Sequence, residues 1–161
     1  MIVSEKTLKW ALSLYPPLLF NRIWVKQFHP DFRGVDVVIV NSFLNRNYNG
    51  SIFGGTIYAA TDPFYAILFD QLMQRKGFKV RVWLKSASIQ YLKPARTNLY
   101  FSLKVTDEMI AEAEHALLTE GKFVKAYPME LYDATGLLCA TVQNEVYLRN
   151  TYPGEQKPVS I

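Results

Sequence analysis

Two hydrophobic periods take turns along this chain. Leu99, Phe101, Leu103 and Val105 fall at every second position with polar residues between them, and Leu138, Ala140, Val142, Val146 and Leu148 alternate again further on. A two-residue period places one face of a strand on a core. Val35 to Leu44, rich in β-branched residues, Lys79 to Lys93, stopped by Pro94, and Phe123 to Tyr132 read as three more strands. Pro128 inside the last of these predicts an edge or a bulge. Asp133 to Gly136 reads as the turn between the last two strands.

Helical spacing occurs three times. Ser4 to Tyr15 has Ser4 as its cap and sets Leu8, Ala11, Leu12 and Tyr15 on one side. Thr56 to about Arg75 is apolar almost all round, which predicts a buried helix ended by Lys76-Gly77. Asp107 to Glu120 turns Met109, Ile110, Ala113, Ala116 and Leu117 inward and its acids outward, with Gly121 closing it. Phe20 to Arg33 is aromatic and irregular, and the tail from Asn150, with Pro153, Gly154 and Pro158, predicts little structure of its own. The expected organisation is a helix and irregular lead-in over 1–34, one folded domain over 35–149 and a tail over 150–161. One strand, one buried helix and a run of antiparallel strands make an α+β plan. A single sheet curled around one helix leaves an apolar face and strand edges, which pairing with a second copy would cover.

At 161 residues, half of them hydrophobic, the chain has ample material for one core and an apolar cavity. The net charge of +4 is spread along the sequence with no basic run, so nucleic acid is not an expected partner. Cys139 is the only cysteine and lies in the apolar run Gly136 to Val142, which reads as a core thiol in a reducing compartment. No stretch approaches the roughly 20 apolar residues of a membrane span, and the N-terminus lacks a signal peptide's cleavage site. A cytoplasmic protein without a stable membrane anchor is expected. His29 and His115 are isolated, so no metal site is expected, and no cofactor fingerprint or serine elbow is present.

The chemistry concentrates in Asn47 to Asp62. Gly54-Gly55 opens the long apolar helix, and the helix's first carboxylate, Asp62, comes seven residues after Gly55. At about 100° per residue, seven steps return to nearly the same face. Glycines at a helix start leave amide donors that a ligand oxygen can approach closely, with the positive end of the helix dipole behind them. Donors and a carboxylate on one side of one element suggest acyl chemistry. Each residue also has a plainer reading. Asp62-Pro63 is a common cap or kink, Asn47 suits a turn, and the glycines suit close packing. Ser86 and Ser88 follow on the next strand, where the strand phase is ambiguous.

Taken together, Asn47-x-x-Gly50, Gly54-Gly55, the step to Asp62, Ile89-Gln-Tyr-Leu-Lys-Pro94-Ala95 and Leu131-Tyr-Asp133 resemble the hotdog-fold thioesterases, in particular the DUF4442 branch, over roughly Val35 to Arg149. The resemblance implies an antiparallel sheet wrapped around a long central helix, with the Asp107 to Glu120 helix as an insertion. It also implies homodimers with paired sheets, or tetramers built from them, and acyl-thioester substrates carried on coenzyme A or acyl carrier protein. By the same resemblance Asp62 is general base or nucleophile, Asn47 places the water or thioester, and the Gly54 and Gly55 amides polarise the carbonyl. Gly50, Phe53 and Ser88 would then border the substrate. Many catalytic relatives carry histidine where this chain has Phe53, which can neither donate a hydrogen bond nor carry charge. An acyl-binding protein without catalysis is therefore the alternative expectation.

Overall fold

The computed structural model describes residues 2–151. Six strands form one antiparallel sheet: β1 (Ile23–Phe28), β2 (Gly34–Ile39), β3 (Val80–Tyr91), β4 (Leu99–Lys104), β5 (Lys122–Asp133) and β6 (Leu138–Asn150), in the spatial order β1-β2-β4-β5-β6-β3. Alternation fixes which face is inside. Leu99, Phe101 and Leu103 on β4 and Ala140, Val142, Val146 and Leu148 on β6 are all buried. Against that face lie α3 (Gly54–Thr61) and α4 (Pro63–Arg75), whose Phe64, Leu68, Phe69 and Met73 are fully enclosed. This is the sheet-around-helix plan expected above.

Helix α1 (Glu5–Leu14) starts where expected, with the Ser4 hydroxyl accepting from the Thr7 amide at 3.1 Å. It packs on β1 and covers that edge of the sheet. The inserted helix, α5 (Asp107–Thr119), is capped by Thr106 and buries Ile110, Ala113 and Leu117. The opposite sheet edge, β3, has no strand beyond it among the described residues.

Four expectations need correction. The segment expected to be irregular holds α2 (Pro16–Phe20), β1 and a 3-10 turn (Pro30–Phe32), so the lead-in is part of the same sheet. The second strand stops at Ile39, short of Leu44. There the Asn45 side chain donates to the carbonyls of Asn21 and Val40 and accepts from the Ser42 amide, folding the chain into a turn. The long helix is two helices, because Pro63 has no N–H to give and its ring collides with the preceding turn. Asn150 closes β6, so the expected tail begins one residue later, and from Tyr152 onward it lies outside the described residues.

The Pro128 expectation is met in an unusual way. Strand β5 is interior in the sheet order, yet it pairs with β4 only at Leu99–Asp133 and Tyr100–Tyr132. A bulge between Leu131 and Tyr132 bends β5 there, and below it the two strands part. Pro128 sits on this local edge, opposite Gln143 of β6. A strand residue's N–H and C=O leave on the same side, so Pro128 turns its missing donor and its carbonyl toward the gap. The Tyr65 hydroxyl of α4 donates to that carbonyl at 2.9 Å. Burial pushes the Tyr65 phenol up to about 12, so it remains a donor at neutral pH.

Phe69 is the best single probe of this core: it is fully buried and its ring stacks on Tyr127 with centroids 5.4 Å apart. Phe69→Ala should cost about 3–5 kcal/mol, read as a lowered urea midpoint at fixed protein concentration.

Candidate functional site

The loop before α3 is built by its own side chains. Asn47 accepts from the amides of Asn49 (3.0 Å) and Ser51 (3.2 Å) and donates to the Ser51 hydroxyl (2.9 Å). Gly50 adopts φ 75°, the left-handed conformation that the tight turn back to Asn47 requires. Asn47 therefore serves its own turn, and its oxygen is already shared between two backbone donors. It still lines a cavity of about 400 Å³ together with Ser51, Gly54, Tyr91 and Lys93.

Helix α3 begins on Phe53, whose carbonyl takes the Thr56 and Ile57 amides at 3.0 and 3.2 Å. The amides of Gly54 and Gly55 donate to no protein acceptor among the described residues. Two aromatic rings explain why glycine is needed. A Cβ on Gly54 would stand 3.1 Å from the Tyr91 ring, and one on Gly55 would stand 2.3 Å from the Phe53 ring. The Tyr91 hydroxyl also donates to the Gly54 carbonyl at 2.9 Å, tying the edge strand β3 to the helix start. Phe53 lies over Gly55 and is 57% exposed, so the ring that stands where relatives carry histidine is open to solvent.

Asp62 occupies the break between α3 and α4. Its backbone is helical (φ −63°, ψ −56°) and its side chain makes no capping bond, so the cap reading does not hold and the kink reading does. No hydrogen bond or ion pair to the carboxylate is seen among the described residues. The residue is exposed in the single chain, yet the protein around the carboxyl removes enough water to raise its pKa. A carboxylate that is partly desolvated and free of partners is poised as a base.

Beneath the break lies a residue that the sequence reading missed. Asn144 is 0% exposed on the inner face of β6, and its Nδ2 donates to the Thr61 carbonyl at 2.6 Å while its Oδ1 has no partner. The Thr61 hydroxyl donates to the Tyr58 carbonyl at 2.8 Å. The last turn of α3 is thus held from the sheet side and from within. The signal was present: Asn144 holds an inward position between Val142 and Val146, where an amide needs a reason.

The structure gathers Asn47, Gly54 and Tyr91 at one cavity, with Phe53 and Gly55 beside them. Asp62 is on the same helical line, but seven residues at 1.5 Å each put it about 10 Å along the axis from Gly55. Within one chain, one carbonyl cannot touch both. Ser88 faces the other way: it pairs with Gln143 on the outer face of the sheet and is exposed, and Ser86 donates to Glu145 at 2.9 Å on that same face. Among the described residues no group of His, Cys, Asp and Glu is placed to hold a metal ion, and no helix is long and apolar enough to cross a membrane.

The sequence model of the family described as "Domain of unknown function (DUF4442)" matches residues 4–148. No curated protein matches the sequence. Solved structures do match in fold. A Pseudomonas aeruginosa protein of unknown function aligns with TM-score 0.81 at 16% identity, covering 93% of this chain and 98% of its own. A Haemophilus influenzae thioesterase aligns with TM-score 0.67 at 10% identity over 93% of each chain. The Escherichia coli PaaI protein, from a phenylacetic acid degradation operon, aligns with TM-score 0.61 at 12% identity, covering 89% and 95%. At these identities the likeness establishes the hotdog fold.

The raised Asp62 pKa has a consequence for stability. The folded chain holds its proton to higher pH than the unfolded chain, so stability falls as pH rises through the carboxylate range and stays lowered above it. Asp62→Asn should therefore raise the thermal midpoint at pH 7. That gain should vanish in acid below the ordinary aspartate range, where both states of the parent chain are protonated.

Proposed function

The chain belongs to the DUF4442 family and has the hotdog fold, and on that basis we propose that it hydrolyses acyl thioesters, carried on coenzyme A or acyl carrier protein, at a site completed by a second copy of itself. The observation that carries this reading is the uncommitted, partly desolvated carboxylate of Asp62 on the helical line of the free Gly54 and Gly55 amides. The 10 Å between them along one helix is the reason for a second copy. Two chains joined along their open β3 edges, with their α3 helices antiparallel, would bring Asp62 of one to the glycines of the other.

In that arrangement Asp62 takes a proton from water as the oxygen attacks the thioester carbonyl. The negative charge that develops on the carbonyl oxygen is met by the glycine amides at the positive end of α3. Collapse breaks the carbon–sulfur bond, and the proton passes to the departing thiolate, leaving a carboxylic acid and a free thiol. One such donor typically contributes about 10²–10³ in rate. Asn144 acts indirectly, by holding Thr61 and hence the position of Asp62.

A second reading is an acyl-binding protein that does not turn over. The apolar Phe53 ring on Gly55 favours it, since the ring brings neither charge nor a donor to the carbonyl's surroundings.

Thiol release from acyl-coenzyme A separates the two. Asp62→Asn should lower kcat about 100-fold or more with binding retained, and unchanged release would remove Asp62 from the reaction. Gly54→Pro is a matched partner, because Phe53 already has the extended backbone that precedes proline and the substitution removes one amide donor. Each variant alone should be nearly inactive. Co-expressed, they should recover roughly a quarter of the parent activity, since half the dimers are mixed and each has one intact site.

A further inference from the structure

The largest opening in the described chain is away from the glycine loop. It lies where β4 and β5 part, below their two-pair ladder, and encloses about 680 Å³. Val37, Phe101, Pro128 and Met129 form its walls, and the rings of Tyr100 and Tyr132 frame it above. The rim is polar: Lys26, whose Nζ stands 5.8 Å over the Tyr100 ring, with Asp36, Ser102 and Glu130. Apolar walls with a few polar groups at the mouth, at this volume, are the make-up of a small-molecule site.

Three features make this a built opening. The β5 bulge at Leu131–Tyr132 turns the strand away from β4. Pro128 removes the donor that would let the ladder extend. Tyr65 fills the vacant bonding position on the Pro128 carbonyl, so the parted strand edge is satisfied from α4. Tyr65 also sets the direction of the opening. It comes three residues after Asp62, one turn along the same helix face. The inner end of the seam therefore lies one helical turn from the break that carries Asp62, with the Tyr65 side chain as the wall between them.

We infer that the β4–β5 seam binds the distal, methyl-end portion of an unbranched long acyl chain whose head lies at Asp62. This rests on the reading of Asp62 as the reacting end and adds a substrate class to it: long, unsubstituted chains, with length read by the seam. A ring or a polar end group would meet Phe101 and Met129 without a hydrogen-bond partner for its polar atoms. A peptide strand added between β4 and β5 is the competing occupant, and the test tells them apart.

Hexadecanoic acid spin-labelled near its methyl end, added to the wild-type protein, should broaden the amide resonances of Ser102, Met129 and Glu130. A label near the carboxyl group should spare them. Ser102→Trp, at the mouth on an exposed strand position, should weaken hexadecanoate binding about tenfold, leave butanoate binding unchanged and leave the thermal midpoint near the parent's. If the methyl-end label spares the seam, or if Ser102→Trp changes both acids alike, the inference is overturned. If the seam is broadened while no thioester is hydrolysed, the inference stands and the hydrolase reading falls. Hydrolysis with a chain-length profile untouched by Ser102→Trp has the opposite meaning. Broadening by a labelled extended peptide in place of the fatty acid would also overturn it, in favour of strand addition.

Discussion

A single side-chain amide beneath the central helix organises the candidate site. The proline after Asp62 forces the helix to restart, and a restart leaves carbonyls without partners in the middle of a core. Asn144 answers one of them, at Thr61, from the floor of the sheet. A buried amide bonding to a backbone carbonyl fixes position more tightly than apolar packing, because direction as well as contact must be kept. The carboxylate at the break consequently has a fixed place without being used in the fold. Remove the amide and Asp62 keeps its chemistry but loses its address.

The same logic applies at the start of α3. Tyr91 reaches from the edge strand to the Gly54 carbonyl, and the rings of Tyr91 and Phe53 rest on the two glycines. The packing reading and the donor reading of Gly54-Gly55 thus hold together. Rings can sit so close only because no Cβ intervenes, and the backbone they touch is the backbone whose amides remain unspent. The edge strand, the helix start and the loop of Asn47 move as one body.

Much of this was legible in the sequence. The two-residue alternation of β4 and β6, the Ser4 cap and the inward face of α5 all follow from local pattern. β1 was not legible, because its register shifts between Val25 and Gln27 and the buried positions Ile23, Val25 and Phe28 no longer keep one period. Asp62-Pro63 spelled out the break, but the apolar sequence on both sides argued for one continuous helix. The spacing of Asp62 from the glycines gave their shared line and hid their separation, since angular agreement on a helix says nothing of axial distance. Asn47, legible as a turn residue, is one. Asn144 was invisible because a single polar residue in a strand ordinarily points outward, and only the fold reveals that this one points in.

The proline in β5 has a consequence for how the sheet itself behaves. Two neighbouring strands in register tend to zip together, each closed pair bringing the next within reach. A residue that cannot donate halts that progress at a defined rung, whatever the temperature or the occupant. The slit between β4 and β5 is thus a fixed aperture rather than a fluctuation, and its length is written into one imino acid and one bulge. Lineages that moved that residue by two positions would resize the aperture without touching the helix, the carboxylate or the glycines.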